Sequence, residues 1–92
     1  MLKPELIAKI ADDAGIPRYL AGQALTALTD EITEALSMGE SVVIAGLGSF
    51  SVKPVPERRV RNPQTGDMQL VAAHKRVVFR PAKRLKATVH DA

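Results

Sequence analysis

The chain has 92 residues, no Cys, 46% hydrophobic and 25% charged residues, and a formal net charge of +3. That length holds one small domain of globular composition, and the lack of Cys excludes disulfide scaffolds, thiolate metal sites and cysteine nucleophiles. No apolar run approaches the roughly 18 residues of a membrane span, and Lys3, Glu5, Lys9, Asp12 and Asp13 interrupt any secretory leader, so an intracellular, cytoplasmic protein is expected.

The N-terminal half predicts two helices. Pro4 suits a first helical turn, where no amide donor is needed, and Leu6, Ile7, Ile10, Ala11 and Ala14 recur at spacings of three and four. Gly15 stops this helix and Pro17 opens the next. From Arg18 to Met38 the apolar stripe runs through Leu20, Ala21, Ala24, Leu25, Leu28, Ile32, Ala35 and Leu36, and Gly39 ends it.

Beyond Gly39 the period falls to two. Val42 and Ile44, then Phe50 and Val52, mark two strands joined at Gly46-Leu47-Gly48. A third strand is expected over 68–80, with Val77, Val78 and Phe79 buried. A short last helix begins at Arg80-Pro81, with Leu85 and Val89 turned inward. The fold class is α+β: two helices, a three-stranded antiparallel sheet with a long β-ribbon arm, and a C-terminal helix.

The arm is the stretch 53–75. Pro54 and Pro56, two residues apart, leave their missing amides on one strand edge, which excludes a central strand. Asn62-Pro63-Gln64-Thr65-Gly66 is a turn at its midpoint. From Lys53 to Pro63 a strand would reach roughly 33 Å, about one turn of duplex DNA. With the arm set aside, too little chain remains for an independent core. A symmetric dimer is the simplest cover. The expected division is 1–39 for helical dimerisation, 40–52 and 76–92 for the body, and 53–75 for the arm.

Charge follows the same division. Residues 1–47 hold three basic and seven acidic side chains, a net of −4, and residues 48–92 hold ten and three, a net of +7. The second half faces a polyanion. Only Tyr19, Phe50 and Phe79 are aromatic, too few for stacking single-stranded bases.

At Gly46-Leu47-Gly48-Ser49-Phe50, Arg58-Arg59-Val60-Arg61, Asn62-Pro63-Gln64-Thr65-Gly66 and Phe79-Arg80-Pro81-Ala82-Lys83-Arg84-Leu85-Lys86, the chain resembles the bacterial HU and integration host factor family over essentially its whole length. The resemblance implies an intertwined dimer that lays two β-arms in the minor groove of duplex DNA and bends it. Pro63 resembles the family's wedge between base pairs. Arg58 and Arg61 look like minor-groove guanidinium groups, with Arg59, Lys53, Asn62 and Gln64 in the same arm. Lys3, Arg76, Arg80, Lys83 and Lys86 look like phosphate contacts, to which the amides of Gly46 and Gly48 add neutral donors.

The family commonly has Arg at position 55 and Gly at 60 and 82, where this chain has Val55, Val60 and Ala82. Strict alternation places Arg59, not Arg58, on the face of Arg61; a bulge would restore the family arrangement. The segment 76–81 looks more like integration host factor than HU. Homodimer and heterodimer with a related subunit both stay open, as do chromosomal and phage origins.

Rival readings are weaker. The Gly46-Leu47-Gly48 segment lacks the third glycine of a dinucleotide loop and is flanked by strands. His74 and His90 have no second ligand at metal spacing, and Asp30, Glu31 and Glu34 form a solvated helix face. No enzyme, cofactor, small-molecule substrate or membrane partner is expected. The leading function is a nucleoid-associated DNA bender of low sequence preference. A site-specific bender and a protein-interaction module with basic arms are the alternatives.

Overall fold

The computed structural model describes residues 1–91. The chain forms two compact units, Met1–Glu34 and Ala35–Ala92.

The first unit is built on helix α1 (Lys3–Ala14) and most of helix α2 (Arg18–Ser37). Pro4 lies in the first turn of α1, and Gly15, at φ 67°, closes its end by turning its own amide back to the Ala11 carbonyl. The Ile16 amide reaches the same oxygen at 3.0 Å. A side chain with a β-carbon resists this left-handed geometry, which is why the helix stops at a glycine. The Pro17 carbonyl then accepts the amides of Leu20 and Ala21, both at 3.1 Å, and starts α2. Ala11 and Ala21 are the buried hydrophobic residues among those described. Ile7 Cδ1 lies 3.6 Å from where a β-carbon on Gly22 would stand, so the two helices meet at a small residue.

The second unit carries strands β1 (Val42–Ile44), β2 (Gly48–Val55), β3 (Arg58–Arg61), β4 (Met68–Val71) and β5 (His74–Pro81), then helix α3 (Lys83–Asp91). An antiparallel sheet has the order β1-β2-β5, and β3 pairs with β4 in a second, two-stranded sheet. Strand β1 covers only Gly48 to Phe50 of β2, so from Ser51 outward β2 and β5 run as a bare ribbon. The Leu47 amide closes the β1–β2 turn on the Ile44 carbonyl at 3.0 Å, and the Leu47 carbonyl accepts the Ala82 amide at 2.9 Å. One turn therefore anchors the start of α3 to the sheet.

Three expectations need correction. The strand expected over 68–80 is two strands, because pairing lapses at Ala72 and Ala73, opposite Pro56 and Glu57. Val77 and Phe79 are exposed, not buried, and only Val78 is half-buried. Leu85 is half-buried but Val89 is exposed. Hydrophobic burial needs a second layer, and among the residues described in this unit none covers these side chains.

Candidate nucleic-acid interface

The arm is defined by its register. Val55 pairs with His74, the last pair of the β2–β5 ribbon, and Arg58 pairs with Val71, the first of the β3–β4 sheet. Two residues intervene on each strand, so the count stays equal across the break. From Gly48↔Pro81 to Arg61↔Met68 no residue is inserted on either side. A bulge would appear as an extra residue on one strand.

This decides which cations share a face. Side chains alternate along a strand, and directly opposite residues lie on the same side. Arg59 and Arg61 therefore stand together, beside Leu70 and Met68, and Arg58 stands on the reverse face with Val60. All three arginines are exposed, while Val60 and Val71, diagonal neighbours on the reverse face, are half-buried. The alternation read from the sequence holds, and the bulge that would bring Arg58 beside Arg61 is absent from the register.

Within the β2–β5 ribbon, Lys53 lies directly opposite Arg76. Two like charges in such a pair repel each other, and an anion seated over both removes that cost. Arg80 lies opposite Ser49, on the same face as this pair and four residues along β5 from Arg76.

The tip is fixed by four hydrogen bonds around Pro63. The Asn62 amide donates to the Asp67 carbonyl and the Gly66 amide to the Asn62 carbonyl, each at 2.8 Å. The Asn62 Oδ1 accepts the Gln64 amide at 3.0 Å, and the Thr65 hydroxyl accepts the Asp67 amide at 3.3 Å. Gly66 takes φ 75° to complete the reversal. Asn and Thr are turn formers because their side chains mimic a backbone acceptor. Their closure leaves the Pro63 ring exposed at the apex.

Elsewhere in the second unit, Lys83 and Lys86 are exposed one turn apart on α3, close enough to act on one anion. Gly46 is exposed at the hairpin turn with φ 83°, a conformation that a type II turn requires. Gly48 is buried beneath the Phe79 ring and the Arg80 carbonyl. Sequence reasoning passed over Arg84, whose Nη1 lies 3.9 Å from where a β-carbon on Gly46 would stand. Its position beside Lys83 in a basic run was the available signal. In the first unit, the Lys3 ammonium donates to the Thr26 hydroxyl at 3.2 Å. Among the described residues no group of three or more His, Asp or Glu could hold a metal ion, and no helix is long and apolar enough to cross a membrane.

A family model described as "Bacterial DNA-binding protein" matches residues 1–90. The chain belongs to the bacterial DNA-binding protein family. Among members of this family, it is 47% identical over 90 residues to DNA-binding protein HU-beta of Pseudomonas fluorescens, covering 98% of this chain and 100% of the relative. It is 44% identical over 89 residues to DNA-binding protein HU of Xylella fastidiosa, covering 97% and 95%. A solved complex titled "Anabaena HU-DNA cocrystal structure" matches with a TM-score of 0.90 and 32% identity, over 100% of both chains. The α+β fold expected from the sequence is therefore that of the bacterial DNA-binding protein family.

Proposed function

We propose that the protein is a dimeric, histone-like architectural protein that binds duplex DNA, lays one β-arm from each subunit in the minor groove and bends the duplex. The observation that carries this is the arm: the β3–β4 register sets Arg59 and Arg61 on one face and ends at a hydrogen-bonded tip bearing Pro63. Relatives named HU and HU-beta favour general binding over a site-specific role.

In this reading 1–39 serves dimerisation, 40–52 and 76–92 form the body, and 53–75 is the DNA-gripping arm. Pro63 is the wedge that unstacks a base step. Arg61 and Arg59 enter the groove, while Arg58 reaches its rim phosphates from the reverse face; Asn62 and Gln64 lie beside the wedge. Lys53, Arg76 and Arg80 take phosphates along the ribbon. Lys3, Lys83, Lys86 and the Gly46 turn orient the duplex on the body, and Gly48 shapes that turn. These contacts position without reading sequence. A second copy covers Phe79, Val77 and Val89, and a related subunit would serve equally. The protein acts on the nucleoid and performs no catalysis.

The test is end-to-end energy transfer on duplexes of about 30 base pairs and unrelated sequence, titrated at several salt concentrations. A salt-sensitive rise on every sequence supports the reading. A rise on one sequence only would favour a site-specific bender. No binding at low salt would leave the interaction module, whose strand pairing is insensitive to salt.

A further inference from the structure

Two residues of β4 stand directly across from the arm's guanidinium pair: Met68 opposite Arg61, and Leu70 opposite Arg59. They are open, with 57% and 63% of their surfaces exposed, whereas Val60 and Val71 on the reverse face are half-buried. One strand of this face is cationic and its neighbour apolar. A bare ribbon has no core to gain from large apolar side chains on its open face, so they pack only when that face is covered.

The adjacent guanidinium groups say what covers it. A surface that attracts Arg59 and Arg61 while offering hydrocarbon to Met68 and Leu70 must carry anions and C–H groups within one strand spacing, about 4.8 Å. The minor groove of DNA does both: phosphates line its rims and deoxyribose rings form its walls. We infer that Met68 and Leu70 are sugar-contacting residues that let the arm distinguish deoxyribose from ribose. The inference rests on the DNA-binding reading above. In duplex RNA the minor groove displays 2′-hydroxyls. Packing Met68 and Leu70 against them would bury hydroxyls without partners, which is unfavourable.

The experiment compares the wild-type protein with the double variant Met68→Gln/Leu70→Thr. The probes are a DNA duplex of about 30 base pairs and an RNA duplex of the same sequence, each over a range of salt. Partial loss of two apolar contacts should weaken DNA binding roughly 5- to 30-fold at every salt concentration. The salt slope should not change, because no cation is removed, and the preference for DNA over RNA should shrink by a similar factor. Leu70→Met keeps the hydrocarbon and should keep wild-type affinity. Gln69→Leu adds an apolar side chain to the reverse face and should gain nothing. Unchanged DNA affinity in the double variant, or an unchanged DNA-over-RNA ratio, overturns the inference. So does a loss in Leu70→Met as large as in the double variant, which would mark a folding effect. A wild-type protein that binds no DNA at low salt rejects the functional reading itself; one that binds while its variants match it rejects only the sugar contacts.

Discussion

The carbonyl oxygen of Arg80 occupies the space into which a β-carbon on Gly48 would project, and the Phe79 ring closes the other side with Cε1 at 2.8 Å. Gly48 also takes φ 152°, a conformation that side chains other than glycine's avoid. Gly46, two residues earlier, differs in kind: its φ is 83°, and what a β-carbon there would meet is the flexible end of Arg84 at 3.9 Å.

Gly48→Ala should therefore destabilise the fold by more than the ~1–3 kcal/mol of backbone strain alone, because the Arg80 backbone cannot yield cheaply. Gly46→Ala should cost only about 1–2 kcal/mol. Thermal unfolding of the two variants side by side checks this. Equal losses would mean that the contact with Arg80 is relieved by a shift of β5.

Arg61→Ala should lower DNA affinity across all sequences alike and reduce the salt slope by about one. Arg59→Ala should behave the same way, since it shares the face of Arg61. Arg58→Ala, on the other face, should have the smaller effect. Binding isotherms over a salt series decide the ranking. A larger loss for Arg58→Ala than for Arg59→Ala would show that the arm rearranges its register on DNA.

The Pro63 ring can leave the arm without disturbing its hairpin, because the tip hydrogen bonds run through Asn62, Gln64, Thr65, Gly66 and Asp67. Pro63→Ala should therefore keep most of the binding and lose bending, read as lower energy transfer at saturation. Undiminished bending at saturation would remove the wedge.

Phe50 and Phe79 meet across β2 and β5 with ring centroids 4.9 Å apart and planes tilted by 42°, yet Phe79 keeps 42% of its surface open in the single chain. If a second copy covers it, the melting temperature should rise with protein concentration. Phe79→Ala should then destabilise by about 3–5 kcal/mol, as for a buried ring, and shift the protein toward monomer in sedimentation. A concentration-independent melt would argue against this face as the dimer contact.

Much of this was legible in the residues themselves. Helix ends at Gly15 and Gly39, the turn at Gly46 and the reversal at Gly66 were readable because positive φ values leave few choices of residue. The pairing of Arg59 with Arg61 followed from strict alternation. Burial was not legible: Val77, Phe79 and Val89 have the pattern of a core, yet all three stand exposed. The split of the third strand was also hidden. Nothing local to Ala72 and Ala73 announces it. Arg84 was overlooked because its placement at the Gly46 turn depends on the Leu47–Ala82 hydrogen bond, a contact across more than thirty residues of sequence.

The matched lapse at Pro56 and Glu57 against Ala72 and Ala73 has a consequence for how the arm meets its target. A gap with unequal numbers of residues would let the outer ribbon slip and turn its arginines away. Here the count is equal, so the outer segment can bend at its root without changing which side chains it presents. Capture then requires freezing an angle at four residues, not selecting among strand pairings. That is an ordering cost of roughly 4–8 kcal/mol at most, and a motion of the ns–μs class expected for loops. An arm of this kind can search along a groove at the speed of a loop while keeping the fidelity of a sheet.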